Sequence, residues 1–143
     1  MMTSNRWMPL TLACLLANCA IVRAAADATD GDLKKLEGKW TAPAGGGGKV
    51  TYTFKGKTLK IEAPSRTYDM TITLDATVKP EKTIDFKIDE APDDAKGKTS
   101  KGIYKFDGDD KLIFCFRAEG DRPTKYEQVG FEQILTELTR VKE

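Results

Sequence analysis

Histidine is absent from the chain, and that gap removes most side-chain catalysis. Without an imidazole there is no Ser-His-Asp or Cys-His nucleophile and no His-ligated metal site. Asp107, Asp109 and Asp110 are close enough in sequence to gather a calcium ion. A calcium loop takes more oxygen ligands at set spacings, usually with a bidentate Glu, and none follows. Hairpin chemistry accounts for Asp107-Gly108 without an ion. Asp89, Glu90, Asp93 and Asp94 read as a solvated acidic loop. Cys115, within Leu112–Phe116, reads as a small buried hydrophobe, because a nucleophilic thiol needs an activating base or a cationic pocket. Asp85, Arg122 and Tyr104 are the candidate ligand-binding or loop-anchoring residues. Asp85 lies on the polar face of its segment and Arg122 precedes Pro123 in a loop. Their first reading is an ion pair tying that loop down, and the second is recognition of an anionic ligand. No carboxylate pair, nucleophile with base or cofactor motif stands out, so the expectation is a non-enzyme with no cofactor and no metal.

These residues follow a distinct leader. Arg6 supplies a positive start, Trp7–Val22 is uncharged and mostly apolar, and Ala24-Ala25-Ala26 offers a cleavage site before Asp27. Residues 1–26 are therefore expected to be a signal peptide, and 27–143 a single domain that is exported, periplasmic or extracellular. Pro9 and Asn18 interrupt the apolar run, which is short for a bilayer core of roughly 30 Å. Leu16-Ala17-Asn18-Cys19 resembles the lipid-attachment box of bacterial lipoproteins, with Asn18 where that box has Gly, Ala or Ser. Membrane attachment is expected only if Cys19 is lipidated. Removing the leader takes Cys14 and Cys19 with it and leaves Cys115 alone. The leader carries Arg6 and Arg23 and no acid, so the net charge of +1 becomes −1 for the remainder. A near-neutral surface argues against a nucleic-acid partner.

The elements that must position these residues are strands. Val50, Tyr52 and Phe54 alternate with polar residues, as do Leu59 and Ile61, then Tyr68, Met70, Ile72 and Leu74, then Ile84, Phe86 and Ile88. Period two marks strands buried on one face. Gly102–Phe106 and Leu112–Phe116 flank the turn Asp107–Asp110, and Lys55-Gly56-Lys57 makes a second hairpin. Gly45–Gly48 reads as a flexible link, and Leu33–Leu36 as a short helical turn capped by Asp30 or Asp32. With the Trp40 segment first and a C-terminal segment last, the count is eight. The expected class is all-β, an eight-stranded antiparallel up-and-down barrel with a short N-terminal helical turn. The last segment is ambiguous. Phe131, Ile134, Leu135, Leu138 and Val141 make a helical stripe, whereas Thr136, Thr139 and Val141 favour a strand. The barrel needs a partner for its first strand, so a strand from about Gln133 to Val141 is expected; a helix across the barrel mouth is the alternative.

Two resemblances follow. Gly38-x-Trp40 resembles the opening of lipocalin-type barrels, in which a basic residue near the last strand covers the Trp, and Arg140 matches that role. Such a contact is worth roughly 0.5–2 kcal/mol. From about Leu36 to Lys142 the chain is also similar to a family of small exported domains of unknown function abundant in planctomycete bacteria. The carriers are Leu36, Gly38 and Trp40, then Lys79–Asp85, Gly102–Asp109, Leu112, Cys115, Gly120–Thr124 and Leu138-Thr139-Arg140. Phe131–Glu137 departs from the plainer hydrophobic strand of that family. The resemblance implies a lipocalin-like barrel and no known activity.

Two functions fit such a barrel. One is an extracytoplasmic scaffold or protein-interaction module with a mostly side-chain-filled interior. The other is a binding module for a small apolar or amphipathic ligand at the barrel mouth. Tyr52, Phe54, Tyr68, Phe86, Phe114 and Phe116 on short strands favour filling.

Overall fold

The computed structural model describes residues 17–142, so Arg6, Cys14 and the start of the leader lie outside the described residues. Helix α1 (Ala17–Leu36) leads into eight strands: β1 (Gly38–Pro43), β2 (Lys49–Lys55), β3 (Thr58–Ala63), β4 (Arg66–Asp75), β5 (Lys82–Glu90), β6 (Thr99–Asp107), β7 (Lys111–Arg117) and β8 (Ile134–Arg140). They form a closed barrel in sequence order, each antiparallel to the next and β8 beside β1. This is the eight-stranded all-β barrel that the alternation predicts, and it matches the lipocalin-like architecture that the Gly38-x-Trp40 resemblance implies. Inward positions fall on even numbers in β4 to β8: Ile72, Leu74, Ile84, Phe86, Tyr104, Leu112, Phe114 and Leu138 are all buried.

The last segment is a strand. Leu138 is buried against Leu112, whereas Phe131 is fully exposed, so the helical stripe does not survive folding. Free backbone groups along β1 and β7 outweigh a local periodicity that only an isolated helix would satisfy.

The helix differs from expectation in extent. Leu33–Leu36 is helical, but as the last turn of a helix that begins at Ala17 and runs through Ala24–Ala26. The alanine content of this stretch favours that continuation. Asp30 and Asp32 are therefore interior helical residues rather than caps. Contact with the barrel recurs at Thr29, Asp32, Leu33 and Leu36, the spacing of one helix face. Gly38 ends the helix with φ +117°, a conformation a side chain would strain. The glycine link forms a short 3-10 turn, Gly45–Gly47, closed by the Ala44 N–H donating to the Gly48 carbonyl at 2.8 Å.

The barrel ends are unlike. At one, α1 lies over the opening together with the β2–β3, β4–β5 and β6–β7 turns. The other, the mouth, carries the β1–β2, β3–β4 and β5–β6 connections and the long β7–β8 loop.

Candidate functional site

At the closed end, Trp40 is wholly buried and its indole N–H donates to the Leu36 carbonyl at 2.8 Å. The Arg140 guanidinium lies over the Trp40 ring, 4.1 Å from its centre. Its N–H groups also donate to the carbonyls of Lys35, of Glu37 at 3.0 Å and of Asp109 at 3.0 Å. One side chain thus covers the Trp, satisfies carbonyls at the helix C-terminus and holds the β6–β7 turn. A cation there also complements the helix dipole.

Tyr104 lies at the same end, fully buried, and its hydroxyl donates to Asp32 at 2.8 Å. Lys82 reaches the same carboxylate at 2.8 Å. Burial, and then the Asp32 carboxylate, push the Tyr104 hydroxyl well above its ordinary range. A phenol held protonated while donating to a carboxylate acts as a tether between barrel and helix, not as a base.

The β7–β8 loop folds back over the outer face of the barrel. Arg122 Nη1 donates to Asp85 at 2.6 Å and to the Gly102 carbonyl at 2.7 Å. Gln133, 3% exposed, accepts from Arg117 Nε at 3.0 Å and donates to the carbonyls of Glu127 and Lys125. Tyr126 donates to Glu81 at 3.0 Å, with the Lys105 ammonium 4.3 Å from its ring centre. Burial first, then Glu81, raise the Tyr126 hydroxyl. Beneath this loop Cys115 is inaccessible, its thiol 3.5 Å from the Glu127 carbonyl. The structure therefore separates the three candidates: Asp85 and Arg122 meet at the loop, and Tyr104 serves the closed end.

Three of the acidic residues face cations. Asp109 lies 3.7 Å from Lys35, Asp110 is 3.1 Å from Lys142, and Glu90 is 2.7 Å from Lys96. Among the described residues no group of three or more acids or cysteines could hold a metal ion.

The interior is mostly filled. Phe114 touches Tyr52, Phe86 and Phe116 at centroid separations of 6.1, 5.4 and 5.9 Å. A hollow of about 50 Å³ remains toward the mouth, bounded by Tyr52, Ile61, Met70, Phe86 and Phe116 among others. Burial raises the Tyr52 hydroxyl as well. The loop surface differs. At the turn Val129–Gln133, closed by a Val129–Gln133 bridge, Phe131 is 100% exposed and Val129 41%. Facing Phe131 across an open hollow are Arg117 to Gly120.

Asp32, Gln133 and Phe131 fall outside the candidate site residues that the sequence suggests. Gln133 and Asp32 act on partners distant in sequence, which no local pattern reveals. Phe131 is legible as a hydrophobe, but its place in an apolar stripe conceals its exposure. No protein-family model, curated protein or solved structure matches the chain.

Proposed function

We propose that this domain is an exported, non-catalytic interaction module, a scaffold that works through its surface rather than a carrier. The observation that carries the reading is Phe131, wholly exposed at the tip of a loop that is otherwise pinned. Ion pairing at Asp85–Arg122, the Gln133 network and the Val129–Gln133 bridge hold the loop before any partner arrives. A rigid, solvated aromatic side chain is the anchor that energetic hot spots use, because little ordering entropy is lost on docking. Carriage of a small ligand has less support. The hollow inside the barrel among Phe86, Phe114 and Phe116, about 50 Å³, is well below the roughly 300 Å³ at which small-molecule sites begin, and the larger hollows open on the outer surface.

Export draws support from the placement of the helix contacts. Ala26, Asp27 and Ala28 are exposed, and the contacts given above begin at Thr29. Cleavage after Ala26 would therefore leave the tethers at Asp32, Leu33 and Leu36 in place. No described helix is long and apolar enough to cross a membrane.

The test is photo-crosslinking in the natural source, with benzoylphenylalanine replacing Phe131. A discrete protein adduct, absent when the probe replaces Lys57 at the opposite end, is expected. Labelling of the same intensity and pattern at both positions, or none at Phe131, contradicts the reading.

A further inference from the structure

The barrel wall is unevenly closed. β8 pairs with β7 from Lys111↔Thr139 to Phe116↔Ile134, but meets β1 only at Trp40↔Arg140 and Thr41↔Thr139. The Val141 N–H donates to the Lys39 carbonyl at 2.9 Å, which sets the phase of this ladder. The rungs are Lys39 with Val141, Thr41 with Thr139, and then Pro43 with Glu137. Pro43 has no N–H to give, so the third rung loses one of its two bonds; the β1–β8 register ends at Thr41↔Thr139 and the strands part beyond it.

A hollow of about 570 Å³ opens along this line, bounded inside by Ala42, Val50, Tyr52 and Thr136 and outside by Lys111 and Glu137. In the phase set by Val141, the main chain of Leu135 and Glu137 points into it. The Leu135 N–H donates at 3.0 Å to the side-chain carbonyl of Gln128, so an amide already stands where a neighbouring strand's carbonyl would be. Among the described residues, Glu137 has no register partner in β1. The outer charges are uneven. Lys111 and Glu137 neutralise each other at 3.1 Å, whereas exposed Lys49 lies on an adjoining hollow that shares Ala42, Pro43 and Thr139.

We propose that this parting receives an extended segment of a partner protein as an added strand. Its small apolar side chains turn inward and an acidic residue lies beside Lys49. The inference rests on the interaction reading above and names its partner class. The Glu137 N–H and the Leu135 and Glu137 carbonyls, set at strand spacing, are matched by another main chain, which is how sheet edges capture strands. An apolar small molecule would leave the Glu137 amide and carbonyl unmet.

Hydrogen exchange on the full chain, alone and with binders selected from a displayed random-heptapeptide library, tests this directly. In the free protein the Glu137 amide should exchange roughly a hundredfold faster than those of Thr136 and Leu138, which face β7. Selected peptides should be rich in Asp or Glu, slow the Glu137 amide on binding, and weaken about tenfold with Lys49→Glu. Methylating alternate peptide nitrogens should abolish binding. Equal protection of Glu137 and its neighbours in the free chain overturns the proposal. So does an absence of binders, or binders that leave Glu137 exchange and Lys49→Glu unaffected. A partner crosslinked at Phe131 while Glu137 stays unprotected would remove the strand-capture inference and leave the interaction module standing.

Discussion

Arg140 shows how much one side chain can hold together. It covers Trp40 with its planar face and donates to carbonyls from two separate segments. Lysine keeps the charge but not the fork, so Arg140→Lys should cost about 1–2 kcal/mol, read as a lower midpoint in urea unfolding. An unchanged midpoint would mean that the guanidinium contacts carry no net stability. The tyrosines set a pH limit. Tyr104, Tyr126 and Tyr52 all have hydroxyls raised in the fold. Their unfolded counterparts ionise near pH 10. Below that pH both states are protonated and the stabilisation is complete; above it the unfolded chain loses protons first, so stability falls as pH rises. Alkaline titration followed at 295 nm should show these phenols ionising together with loss of structure rather than before it. Independent ionisation in a still-folded chain would refute the assigned burial.

The elements differ in how openly the chain announces them. Tyr68, Met70, Ile72 and Leu74 alternate without interruption, and the strand they make needs nothing distant to define its face. Trp40 and Arg140 are also legible as a pair, through the resemblance to the Gly-x-Trp opening and covering basic residue of lipocalin-type barrels. α1 was less legible. Its barrel-facing residues Thr29, Asp32, Leu33 and Leu36 mix polar with apolar, since Asp32 is there for Tyr104 and Lys82. β8 carried two periodicities, and only the closing of the barrel selects between them. In the β7–β8 loop, Gln133 looks like any polar residue until Arg117 and the carbonyls of Lys125 and Glu127 surround it. Gly102 belongs to this level too. A Cβ there would stand 2.7 Å from the Cys115 carbonyl oxygen and 3.0 Å from Phe116 Cβ. Its carbonyl also accepts from Arg122. Gly102→Ala should therefore separate β6 from β7 and loosen the loop, costing about 1–3 kcal/mol in thermal or urea unfolding. A melting temperature equal to that of the parent would show that the strands can move apart freely.

For the molecule as a whole, the helix is a plug and the barrel is mostly full. The tethers described begin at Thr29, so the chain from Asp27 onward should unfold within about 0.5 kcal/mol of the full-length protein. A larger loss in calorimetry would show that residues before Asp27 belong to the folded domain. We propose that the domain acts through its outer surface, with an interior too full to carry cargo. Native mass spectrometry of the protein isolated from its natural source tests that most directly. The expected result is the mass of the polypeptide, alone or with a protein partner, and no bound small molecule. A stoichiometric apolar ligand that leaves only on unfolding would contradict it.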